Sequence, residues 1–227
     1  MTGYADGSTA LRASGILLAL LALAYGGQVI LAPNDSMQGV VQKILYVHVP
    51  CAFAAYLGFL VTAVCSGFYL ATNDERYDRV AAAAAEMGVL FCTLVIVTGP
   101  IWAKGTWGHW WAWDPRLTVT LLLWFIYLAY LLLRSFTEGS ERTARLAAVY
   151  GIAGALAIPL NYFAIDLFGG AAMHPENLQR GSLGQGMGWP FAVGVATAVA
   201  AFAHLLLLRV GLEASVSPSG GRLSIRG

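Results

Sequence analysis

Apolar residues in this chain are gathered into six long runs separated by short polar breaks. They extend from Ser14 to Ala32, Val47 to Ala71, Val80 to Trp102, Leu117 to Leu133, Leu146 to Phe168 and Trp189 to Val210. Each approaches the ~20 residues a helix needs to cross a hydrocarbon core. None alternates with the two-residue period of a barrel strand. The pattern predicts an all-α polytopic membrane protein, with six transmembrane helices occupying residues 1–211. The polar segment 212–227, rich in Ser, Gly and Arg, reads as a disordered cytoplasmic tail.

Composition agrees with the membrane class. Hydrophobic residues make up 58% of the chain and charged residues 11%, a balance that excludes an ordinary soluble domain. The scarce charges then set an orientation. With both termini inside, cytoplasmic segments hold nine basic residues, Arg12, Arg76, Arg79, Arg134, Arg142, Arg145, Arg209, Arg222 and Arg226, against four outside, Lys43, Lys104, Arg116 and Arg180. Ala22-Leu23-Ala24 resembles a signal-peptidase site, but the apolar run continues through Val29, Ile30 and Leu31, so the first segment is expected to stay as a membrane span. There is no internal repeat and no phosphate loop, which assigns any ATP-driven step to another chain.

One break between apolar runs differs from the rest. From Trp102 to Leu117 the chain reads WAKGTWGHWWAWDPRL, holding five of its seven tryptophans. An aromatic belt would scatter such residues over several helix ends. Concentrated in one loop on the outer side, broad indole faces suit a large planar ligand. If the segment were helical, Trp107, Trp110, Trp111 and Asp114 would share a face, with Gly105 and Gly108 relaxing its entry. Asp114 followed by Pro115 reads as an N-cap and first-turn pair for the next helix.

This string resembles the tryptophan-rich WWD signature of the haem-handling proteins of cytochrome c biogenesis, and nearly the whole chain resembles their CcmC type. Tyr46-Val47-His48-Val49-Pro50 and His174 in the last outer loop are matching landmarks. The resemblance implies a protein that is not itself an enzyme, binding haem b non-covalently at the periplasmic face of the bacterial inner membrane. It implies delivery to a periplasmic haem chaperone (CcmE-type). Further implied partners are a small single-span subunit (CcmD-type) and the ABC ATPase with its membrane subunit (CcmA- and CcmB-type). The family's axial histidines fall on His48 and His174. The expected cofactor contacts are His48, His174, Trp102, Trp107, Trp110, Trp111, Trp113, Asp114 and Arg116, the last suited to a propionate. Lys104 and Arg180 are weaker candidates for that task.

Other chemistry is sparse. His48 or His174 alone reads equally well as a hydrogen-bonded boundary histidine; together, on one side with the tryptophans, they can supply both axial positions of a haem iron. His204, deep in the last run, reads as a helix-pairing residue. Cys51, Cys65 and Cys92 form no C-x-x-C motif and read as buried free thiols. Glu86 and Asp166 are acids in apolar surroundings and no motif covers them; Glu86 suits a structural pairing or a partner contact. The rival readings are a cytochrome c synthetase subunit of the same superfamily, an electron-transfer cytochrome b, and a haem exporter or channel. The first would have further membrane histidines, and the second would pair histidines at membrane depth. The third would need a polar path across the bilayer, where these helices offer little beyond Glu86.

Overall fold

The computed structural model describes residues 2–136, 140–168 and 183–216. Among them the helices are α1 (Thr2–Leu31), α2 (Leu45–Thr72), α3 (Glu75–Trp107), α4 (Pro115–Ser135), α5 (Glu141–Ala155), α6 (Ala157–Tyr162), α7 (Ala164–Phe168) and α8 (Gly188–Val216), with a 3-10 turn Val40–Ile44 leading into α2. Six segments are long and apolar enough to cross a membrane, the fifth being Glu141–Tyr162, and the described residues form no strand. The protein is an all-α polytopic membrane protein, as the hydrophobic pattern predicts.

Helix ends lie where the capping chemistry puts them, beyond the points at which hydropathy falls. α2 closes on Asn73 in the left-handed region at φ 56, and α3 opens on Asp74, whose carboxylate accepts from the Arg76 N–H at 2.9 Å. Two antiparallel helices are thereby joined by a two-residue turn. α3 then runs to Trp107 and is stopped by Gly108 at φ 84. α8 continues to Val216, several residues into the segment read as tail, and residues 217–227 lie outside those described.

The fifth apolar run is not one helix. Pro159 has no N–H to give the Ala155 carbonyl, and its ring crowds that carbonyl, so α5 ends at Ala155 and the chain resumes as the short α6 and α7. This break turns Asn161, only 1% exposed, and the Tyr162 carbonyl toward the start of α4.

Small residues let α2 and α3 meet closely. A Cβ at Gly58 would stand 2.7 Å from the Gly88 Cα, and one at Gly88 would stand 2.6 Å from the Phe59 ring. Without a hydrophobic drive between helices in lipid, such close contact is what holds them. Polar ties add to it. Pro50 leaves the Tyr46 carbonyl without its helical donor, and the Tyr25 hydroxyl of α1 donates to that oxygen instead. Trp124 of α4 donates to Thr93 of α3 at 2.9 Å, and Arg134 makes a two-pronged pair with Asp78 at 2.6 and 2.7 Å.

The notable acids and histidine of the apolar runs are also accounted for. Glu86 pairs with Arg209 of α8 at 2.6 and 2.8 Å, the structural pairing that its setting suggested. His204 lies 2.9 Å from the Ser14 hydroxyl and packs over Gly15, which pairs α8 with α1. Asp166 is exposed near the start of α7. The three cysteines are free, with Cys51 and Cys92 buried.

Candidate functional site

The start of α2, the end of α3, the start of α4 and the chain preceding α8 come together at one end of the bundle. Between them lies a cavity of about 550 Å³, within the ~300–1,000 Å³ range of small-molecule sites. Its lining on α2 extends from Leu45 to Phe59. At the helical rise that is a depth of ~21 Å, so the cavity penetrates the apolar bundle below the tryptophan loop.

His48 forms part of the wall, only 8% exposed. Gly99 of α3 makes room for it, since a Cβ there would stand 3.1 Å from the imidazole. Its Nδ1 lies 3.0 Å from the Thr98 hydroxyl, which gives its own proton to the Leu94 carbonyl at 2.7 Å. With its proton so placed the Thr98 oxygen can accept from Nδ1, the arrangement in which a neutral imidazole has its lone pair on Nε2. Trp102 meets the same ring edge to face, centroids 5.7 Å apart at 74°.

The tryptophans divide into two groups. Trp102, Trp107 and Trp111 line the cavity, whereas Trp110 is 59% and Trp113 75% exposed. The shared helical face of Trp107, Trp110, Trp111 and Asp114 does not form, because Gly108 ends α3 and the chain from His109 to Asp114 is irregular. Trp113 instead packs its ring edge to face with Trp111, centroids 5.7 Å apart. The Trp111 indole N–H is buried with no hydrogen-bond partner among the described residues. Trp102 donates to the Gln38 side-chain oxygen at 2.7 Å, pinning the loop that precedes α2 against the end of α3.

Asp114 caps α4 as its position before Pro115 predicts, accepting from the Leu117 N–H at 2.8 Å. The carboxylate is buried, and its second oxygen has no hydrogen-bond partner among the described residues. Arg116, two residues on, lines the cavity and donates to the Tyr162 carbonyl at 2.7 Å. Asn161 braces the same place, donating to the Arg116 carbonyl at 3.1 Å and to the Thr120 hydroxyl at 2.9 Å while accepting from Tyr56. Lys104 is exposed and donates to the Gly108 carbonyl at 2.7 Å, closing the α3 cap. His109 is exposed in the loop. His174 and Arg180 lie outside the described residues.

A family model described as heme exporter protein C matches residues 5–217, almost the whole chain. The chain belongs to the heme exporter protein C family. A heme exporter protein C of Paracoccus denitrificans is 32% identical over 81% of this chain and 77% of its own length. One from Bradyrhizobium diazoefficiens is 37% identical over 60% of this chain and 52% of its own. A ccmC-like mitochondrial protein of Marchantia polymorpha, named as acting in cytochrome c biosynthesis, is 35% identical over 65% and 62%. The chain thus spans only about half to three fifths of the length of the last two relatives.

Within the heme exporter protein C family, the tryptophan motif and His48 were legible as short strings. The residues that hold them were not. Thr98, Gln38, Tyr56 and Asn161 come from four separate stretches and meet only in the fold. Gln42, a lone amide between Val41 and Lys43 ahead of an apolar run, carried a faint signal: a polar side chain where burial is expected.

Proposed function

We propose that this chain binds haem in the cavity at the tryptophan end and passes it to a haem chaperone outside the cytoplasm. The observation that carries the reading is His48, buried in the cavity wall with its Nδ1 3.0 Å from the Thr98 hydroxyl, the kind of partner that orients a ligating imidazole. The cavity suits the cargo in other respects. Trp102, Trp107 and Trp111 offer aromatic surface, and the buried Trp111 N–H has no acceptor among the described residues. Arg116 sits where a propionate can be met. Family membership and the names of the relatives support the same cargo.

On this reading haem b is bound non-covalently as cargo, with His174 as the second axial ligand, and the chain is not itself an enzyme. It lies in the inner membrane with both termini in the cytoplasm, and the site faces the periplasm. The partners are a periplasmic haem chaperone, a small single-span subunit, and an ABC ATPase with its membrane subunit.

Absorption spectroscopy of the purified full chain tests this. Added haem should give the low-spin spectrum of bis-histidine iron, His48→Ala should abolish or shift it, and adding the chaperone should move the haem to that partner. His204→Ala should leave the spectrum in place, because that ring is occupied in pairing α8 with α1. An unchanged low-spin spectrum in His48→Ala would overturn the site.

A further inference from the structure

Gln42 lines the same cavity, in the 3-10 turn one and a half helical turns ahead of His48. It is 3% exposed, and among the described residues neither its amide nitrogen nor its amide oxygen has a hydrogen-bond partner. A buried amide with both ends unpaired is rare in a folded protein and unfavourable to the fold that carries it. Its neighbours in the chain hold it in place. Val41 packs against Gly105, where a Cβ would stand 2.6 Å away, and Lys43 donates to the Ile30 carbonyl at 3.0 Å. The turn is therefore fixed on both sides, and the amide cannot leave for water without undoing those contacts.

We infer that Gln42 is a recognition residue of this cavity, its amide N–H donating to a carboxylate of the bound macrocycle and complementing Arg116. The inference rests on the haem reading above and assigns a residue to one part of that ligand. The choice of ligand group follows from chemistry. The rim of haem is methyl and vinyl apart from two carboxylates, and the deeper lining, with Val49, Phe53, Ile96 and Leu123, suits the apolar part. Gln42 precedes His48 toward the mouth of the cavity, where the polar edge of an amphipathic plate belongs. An amide N–H given to a carboxylate is a charge-assisted bond, stronger than one between neutral groups.

The test compares haem with its dimethyl ester, titrated into the purified full chain by absorbance. Gln42→Leu should weaken haem binding by about tenfold, the loss of one such hydrogen bond, and weaken binding of the ester much less, because an ester carbonyl accepts the N–H without the charge. Gln42→Glu should bind haem more weakly still, through repulsion between carboxylates. Without ligand, Gln42→Leu should unfold at the same temperature as the parent chain or higher, because the unpaired amide is gone. Gln42→Met, unbranched and close in length, serves if the leucine variant does not fold. Equal haem affinity in variant and parent would overturn the inference, as would an equal loss for haem and ester. If the parent chain takes up neither compound, the haem reading itself fails and Gln42 loses its ligand with it.

Discussion

The Thr98 hydroxyl stands 3.0 Å from Nδ1 of His48 and gives its own proton to the Leu94 carbonyl at 2.7 Å, so a side chain of one helix holds the other helix's imidazole by Nδ1. Replacing the threonine by valine keeps the shape and removes the acceptor. Haem affinity of Thr98→Val should fall ~10–100-fold, the usual effect of losing the partner of a ligating histidine. Thr98→Ser should restore most of it. Haem titration of both variants checks this, and equal affinities for valine and threonine would dissociate Thr98 from the ligand.

The tryptophans should separate by position. Trp111 lines the cavity and Trp113 is 75% exposed beyond it. Trp111→Ala should lower haem retention through a gel-filtration column several-fold, and Trp111→Phe should lose less, keeping the ring while losing the N–H. Trp113→Ala should retain haem nearly as the parent does. If Trp113 matters for anything beyond supporting Trp111, chaperone loading at matched haem content will show it.

Asp114 is the cap of α4. Asparagine caps as well, so Asp114→Asn should fold and load the chaperone near the parent level, while Asp114→Ala should lose ~1 kcal/mol of local stability. Complete loss of loading in Asp114→Asn with haem still bound would give the negative charge a role in transfer or docking.

The α2–α3 contact is least tolerant at Gly58, where an added methyl would meet the Gly88 backbone at 2.7 Å. Gly58→Ala should destabilise the protein by ~1–3 kcal/mol, since a backbone at close contact cannot rotate away as a side chain can. Thermal unfolding in detergent measures it. Gly67→Ala, on the same helix with nothing within 4 Å, is the matched control and should be neutral or mildly stabilising.

Topology reporters check the orientation. A fusion after Gly108 or Gly184 should be active only outside the cytoplasm, and one after Asn73 only inside, following the excess of arginine at that end. The reverse pattern would place the tryptophan loop in the cytoplasm and end the handover model.

The number of membrane-crossing segments, the all-α class, the Asp114 cap and the tryptophan string were written in the sequence by itself. Each depends on neighbours within a turn or two, or on a run of one polarity, and lipid leaves the backbone little alternative to helix. Tertiary structure decided what needed several stretches at once. It ended α3 at Gly108, which dissolved the helical face imagined for Trp107, Trp110 and Trp111, and it divided the tryptophans between cavity and surface. It gave Glu86 to Arg209 and His204 to Ser14, leaving both outside the site. It brought the Thr98 hydroxyl, fifty residues away in the chain, to Nδ1 of His48. Hydropathy records which side of a helix is dry; it does not record which residue of another helix lies opposite, because that depends on where small residues such as Gly58 and Gly88 let two backbones meet.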